Sequence, residues 1–197
     1  MTQSQIPGYT YGTGTVLRSP VSLQDFQEMK AAAMFTDEDI RYLKMSYDVL
    51  SDQVEAILDV WYNFFAAQPQ LRHAFDQKGT GKPEPKYLAA VRKRFGRWIL
   101  DTARAEYDQE WLDYQYEIGR RHCKEAKNET DHVDAVEYVS FRYLIPTVYP
   151  IVSTLKPFLA RKGHSPADVE KMYEAWMKSV LLQVALWSYP YVKDGEY

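Results

Sequence analysis

Apolar side chains recur along this chain at the three-and-four spacing of a helix face, and nowhere alternate for long with the period of a strand. That excludes sheet-based architectures and leaves a bundle of amphipathic helices. The pattern is cleanest after Asp52, where Val54, Ile57, Leu58, Trp61, Phe64 and Phe65 form one stripe with Tyr62 beside it. Tyr87, Leu88, Val91, Phe95, Trp98, Ile99 and Thr102 form a second. Near the C-terminus, Val169, Met172, Tyr173, Trp176, Val180, Val184 and Trp187 share one face, and Met177, Leu181, Leu182, Ala185 and Leu186 make a second side apolar. A helix apolar on two sides is either central or shared with a partner subunit.

Start and stop signals divide the chain. Pro7-Gly8, Gly12, Gly14 and Pro20 make residues 1–20 an irregular arm, with Ile6, Tyr9, Tyr11 and Leu17 expected to pack on the body. Ser22 caps a helix running to about Met34, and Thr36-Asp37-Glu38-Asp39 starts another whose inner face is Ile40, Leu43, Tyr47 and Leu50. Gln68-Pro69-Gln70 ends the Asp52 helix, residues 71–75 make a short turn, and Gly79 to Pro85 is a loop. Pro85 suits the first turn of a helix reaching about Ala105. Asp108 opens the next, and Asn128 to Asp131 ends that segment and caps a long helix from about His132 to Ala160, kinked or broken at Pro146, Pro150 and Pro157. Ser165-Pro166-Ala167-Asp168 starts the last one and Pro190 stops it. The expectation is an all-α chain of about seven or eight helices, with one domain over residues 21–197.

The formal net charge of −3 gives no global pull towards nucleic acid or an anionic membrane. A single cysteine, Cys123, excludes an internal disulfide and a cysteine-cluster metal site, and suits a reducing cytoplasm. No signal peptide pattern opens the chain, and no apolar run reaches membrane-spanning length. Aromatic residues at 15% supply rigid, flat surface for a core or for a cavity holding a large planar ligand.

Few residues here can do chemistry. There is no Walker loop, dinucleotide fingerprint or Gly-x-Ser-x-Gly elbow, and no two histidines stand four apart as a zinc pair would. His132 and His164 fall at a helix start and a turn, and His73 borders a short turn. His122 differs. It shares a helix face with Trp111, Tyr114, Gln115 and Ile118, beyond Gly119, whose missing side chain lets something bulky reach the backbone. A neutral imidazole aimed at an apolar slot is either a haem ligand or a hydrogen-bonded core histidine. The run Arg92-Lys93-Arg94 with Arg97 reads as a solvated face paired with carboxylates, as a nucleic-acid surface, or as a source of a cation for a haem propionate.

The chain resembles the protoglobins, single-domain relatives of the globin domain of globin-coupled sensors, over nearly its whole length. The marks are Ile6-Pro7-Gly8-Tyr9, Trp61-Tyr62, Val91-Arg92 with Arg94-Phe95, Trp98-Ile99-Leu100-Asp101-Thr102, Trp111 to Gly119, Lys156-Pro157-Phe158-Leu159-Ala160, and Gln183-Val184-Ala185 with Trp187-Ser188. The resemblance implies a globin-like helical sandwich enlarged by an extra N-terminal helix and the arm, holding one haem b (iron protoporphyrin IX). It makes His122 the iron ligand and puts Trp61, Tyr62 and Phe95 on the distal side. Val91, Arg94, Ile118, Leu144, Val148 and Trp187 complete the expected cofactor contacts. It also implies a homodimer through the last two long helices. Two positions depart from the family pattern: Cys123 where a second histidine is common, and Thr147 where a bulky aromatic is expected. The helical angle turns Cys123 away from the face of His122.

Reversible binding of oxygen, carbon monoxide or nitric oxide for sensing, storage or detoxification is thus the first expectation, with no nucleic-acid or membrane partner. The alternatives are a haem enzyme, for peroxide, nitric oxide or engineered carbene-transfer chemistry in a pocket opened at Thr147, and a helical interaction module without haem.

Overall fold

The computed structural model describes residues 6–192 and 196–197, so the first five residues of the arm lie outside it. Nine α-helices occur among the described residues: α1 (Leu23–Ala32), α2 (Asp37–Leu50), α3 (Val54–Ala67), α4 (Pro69–Arg72), α5 (Pro85–Arg104), α6 (Gln109–Arg120), α7 (Leu144–Ser153), α8 (Lys156–Leu159) and α9 (Pro166–Ser188). Extended pairing among these residues is limited to two isolated bridges, Asp76 with Pro83 and Gln77 with Ala135.

The caps are where the local chemistry puts them. Ser22 Oγ accepts from the Asp25 amide at 3.1 Å while the Asp25 carboxylate accepts from the Ser22 amide at 2.9 Å, a reciprocal pair that satisfies two otherwise free N–H groups. Asp108 and Ser165 accept from the amides of Trp111 and Asp168. At the end of α5, Ala105 adopts the left-handed conformation (φ +52°) and stops the helix.

α9 is the central element, packed against α2, α6, α7 and α8. Met172, Ala175 and Trp176 on it have no exposed surface. Its two-sided apolar character is thus explained largely within one chain. The tryptophan N–H groups of the core find acceptors on other elements. Trp176 donates to Ser46 on α2 (2.8 Å), Trp98 to Gln183 on α9 (2.6 Å), Trp187 to Gln115 on α6 (2.8 Å) and Trp61 to Thr154 just after α7 (2.9 Å). A buried donor left unmatched costs about 1–3 kcal/mol, so these pairs fix how the helices register.

Several expectations need correction. No helix begins at His132: residues 132–140 run irregularly, His132 takes a left-handed conformation (φ +50°), and helical structure resumes only at Phe141. The amides there are taken by distant partners. Val136 donates to the Asp76 carbonyl and Val139 to that of His122. On α2 Leu43 and Leu50 are buried as expected but Ile40 and Tyr47 only half-buried, and Asp39, Tyr42, Ser46 and Val49 complete the inner face, because Asp39 pairs with Lys178 and Ser46 receives Trp176. In the arm Tyr9 and Tyr11 are buried as expected, but Leu17 is exposed.

α6 and α9 cross at Gly119. A Cβ there would stand 3.0 Å from both Cα and the carbonyl oxygen of Trp187, atoms of a helix backbone that cannot step aside. Gly119→Ala is therefore expected to destabilise the chain by about 1–3 kcal/mol, read as a lower urea midpoint. An unchanged midpoint would show that the crossing tolerates separation.

Candidate functional site

His122 lies just past the end of α6, in a turn where its amide donates to the Gly119 carbonyl. Its Nδ1 is 2.8 Å from the Ile118 carbonyl oxygen, which can only accept, so Nδ1 carries the proton and Nε2 keeps the lone pair. The Trp187 indole stacks on the ring, centroids 5.6 Å apart and planes within 20°. The main-chain carbonyl of His122 accepts from the Tyr191 hydroxyl and the Val139 amide. Burial holds the imidazole neutral, its pKa pushed down to about 4 against the lift from the Ile118 bond. A neutral, oriented imidazole with a free nitrogen is what a metal ligand requires.

That ring lines a cavity of about 240 Å³. Val91, Arg94, Phe95, Ile118, Leu144, Thr147, Val148 and Trp187, all named from the sequence, border it with His122. α3 adds Phe65, α4 adds Leu71, the turn after it adds Phe75, and α9 adds Val184. The wall is mainly apolar, with Arg94, Arg121 and Lys127 also on it.

Trp61 and Tyr62 stand one layer behind it. Trp61 is covered by Phe95, 4.8 Å between centroids, and its N–H is spent on Thr154. Tyr62 packs beside Phe65, Phe75 and Phe95, and its hydroxyl is buried without a hydrogen-bond partner. Thr147 borders the cavity, but its hydroxyl donates to carbonyls of its own helical turn, Tyr143 at 2.8 Å or Leu144 at 2.9 Å. Tyr62 thus keeps an unspent donor behind this wall.

The other candidates fall away from the cavity. Cys123 is buried but does not border it, and burial pushes its thiol pKa up, disfavouring a thiolate. The His73 side chain is 65% exposed and sits 3.3 Å from the Asp76 carboxylate, while its neighbours Leu71, Ala74 and Phe75 face the cavity. Among the described residues no group of three or more histidine, cysteine or carboxylate side chains is placed to hold a metal ion.

The basic run divides. Arg92 pairs with Glu55 and Asp59 near the surface. Arg97 is buried against Asp101, which also accepts from the Tyr9 hydroxyl at 2.6 Å. Arg94 turns inward, its guanidinium held by both oxygens of Asp131 at 2.8 and 2.6 Å. Pairing with carboxylates and solvation fit the outer part of the run, Arg92 and Lys93, whereas Arg94 and Arg97 are largely covered. Lys127, which is 2% exposed and lines the cavity, carries no local signal. Within the polar run Lys124 to Asp131 it looks like any surface lysine.

Such an arrangement, a helical sandwich around an apolar slot with one buried histidine, is that of a globin. The solved globin domain of a Geobacter sulfurreducens globin-coupled sensor is similar in fold, with a TM-score of 0.65 at 17% identity over 85% of this chain and 97% of that one. The protoglobin family model matches residues 22–197, and the chain belongs to the protoglobin family. No curated protein is similar enough in sequence to match it. Membership implies a haem cofactor, and no helix among the described residues is long and apolar enough to cross a membrane.

The histidine makes the haem-free chain sensitive to acid. Unfolded, His122 takes its proton near pH 6.5; folded, near 4. Between those values the unfolded chain binds more protons, so stability is fully present above 6.5 and lost as pH falls through 4. The loss amounts to about 3 kcal/mol by linkage. Denaturant titrations of the haem-free chain and of His122→Leu at several pH values should differ in slope over that window. Parallel curves would show that His122 is solvated.

Proposed function

We propose that this protein holds one haem b through Nε2 of His122 and reversibly binds oxygen, carbon monoxide or nitric oxide, for gas sensing, storage or detoxification. The observation that carries this is a single neutral imidazole, oriented by Ile118 and Trp187, facing an apolar cavity. The cofactor supplies an iron with one coordination position open to a diatomic gas. The chain's own residues do the rest. Ile118 fixes the tautomer of His122, and Trp187 fixes the plane of its ring. Phe65, Phe75, Phe95 and Val148 exclude water from the ligand's side. The unpartnered Tyr62 hydroxyl supplies a hydrogen bond to the bound gas once Phe95 gives way beside it.

Ile145 and Tyr149 on α7 and Leu181 on α9 are exposed apolar side chains on helices that pack together. They support a homodimer through these helices. A cytoplasmic setting agrees with the one unpaired cysteine.

A haem enzyme acting on peroxide, nitric oxide or a carbene donor is favoured by one observation: Thr147 fills little of the wall it borders and turns its hydroxyl back to its own helix. Thr147→Phe should then slow turnover of a bulky substrate while leaving carbon monoxide binding intact. Equal turnover would remove this alternative.

Absorption spectra of the ferric, ferrous and carbon monoxide forms test the main proposal. Wild type and Cys123→Ala should show the same histidine-type bands, and His122→Ala should lose or shift them. Bands unchanged in His122→Ala would sink the assignment. Tyr62→Phe should speed oxygen release by about tenfold, the worth of one hydrogen bond, as measured by stopped flow.

A further inference from the structure

We propose that Lys127 is the partner of a haem propionate, at a cationic end of the cavity, and that Arg94 is not. This rests on the haem assignment above and goes further by naming which cation is available.

Three cations border the cavity: Arg94, Arg121 and Lys127. Arg94 and Arg121 meet the arm, and Asp131, which holds Arg94, also bears on Lys127. Arg94 donates to the Pro7 carbonyl and Arg121 to that of Gly8, and a Cβ on Gly8 would stand 2.6 Å from both Arg94 and Thr130. Two of the three are already committed. Arg94 is bidentate to Asp131, with side chains only 12% and 7% exposed. Arg121 donates to Glu117 at 2.9 Å and to Thr10 at 3.0 Å. Glu117 is further shared with Arg120.

Lys127 has no such partner. Its ammonium makes one hydrogen bond, to the Val136 carbonyl, and lies 4.6 Å from the centre of the Tyr87 ring. Three N–H donors minus one leaves two unspent. Asp131, the carboxylate that bears on it, is occupied by Arg94. Against the two carboxylates Asp131 and Glu117, the three cations leave one positive charge over, and it is the one held by the fewest protein groups.

Burying an unpaired ammonium is costly, and desolvation draws its pKa down to about 8, so it remains mostly charged at neutral pH. A ligand carboxylate offsets that cost. Tyr87 and Thr130 flank the place a carboxylate would enter, and both border the cavity. A purely structural lysine, bonded to Val136 and stacked on Tyr87, would instead be indifferent to the charge of the cofactor.

That difference sets the experiment. Wild type and Lys127→Met are loaded with haem and, separately, with haem dimethyl ester, in which both propionates are blocked. Release to an excess of a haem scavenger is followed in each case, with absorption spectra to check iron ligation. Wild type should release the ester about ten- to a hundredfold faster than haem, the range expected for a lost charged hydrogen bond. Lys127→Met should release both at the ester's rate with histidine bands unchanged, and its haem-free form should melt higher than wild type. Equal release of both cofactors by wild type would overturn the proposal even if the variant failed to fold. Discrimination that survives in Lys127→Met would overturn it too, in favour of Arg94 or Arg121. If a folded wild type takes up neither cofactor, the haem assignment itself fails.

Discussion

The contact between Gly119 and the backbone of Trp187 sets the geometry of the site. Because Gly119 has no side chain, α6 and α9 meet backbone to backbone, a Cβ-width closer than other residues would permit. Two consequences follow from that one approach. The Trp187 ring reaches His122 and stacks on it, and its N–H reaches Gln115 one helix away. Ile118 then needs only to offer its carbonyl for the histidine to be fixed in both tautomer and plane. Displace the helices by one methyl group and the stacking and the Gln115 bond loosen together.

The rest of the core is built to hold that crossing. α9 carries Gln183 and Trp176 as well as Trp187, and through them it is bonded to α5 and α2. Apolar contact alone tolerates sliding, since one aliphatic surface is much like another. A buried indole N–H does not, because it has one direction and needs one acceptor. The polar residues of this interior, Ser46, Gln115, Gln183 and Thr154, each sit where such a donor arrives.

Much of this is legible in the residues themselves. Caps at Ser22, Asp108 and Ser165, the stripe ending at Trp61, and the placing of His122 on the Ile118 face all depend on spacing within a turn or two. What escapes is whatever depends on residues far apart. Residues 132–140 stay irregular because Asp76 and His122 take their amides, and no local pattern announces such partners. Asp39 and Ser46 turn inward for Lys178 and Trp176, more than a hundred positions away. Lys127 is hidden for the same reason: it packs on Tyr87, forty positions before it, while its neighbours in sequence are mostly polar. Most residues named for the site border the cavity, while Trp61 and Tyr62 lie behind Phe95, since a helix face does not say how deep each ring lies.

The arm's attachments also bear on the order in which the molecule assembles. Tyr9 binds Asp101, Pro7 receives Arg94, and Gly8 receives Arg121, partners separated by 92, 87 and 113 positions. Closing loops that long is slow, and none of these anchors exists until α5 and the end of α6 are formed and packed. A growing chain therefore makes the arm well before it makes anything for the arm to grip. The slot therefore has its walls before the arm docks on Arg94 and Arg121, two of the residues that border it.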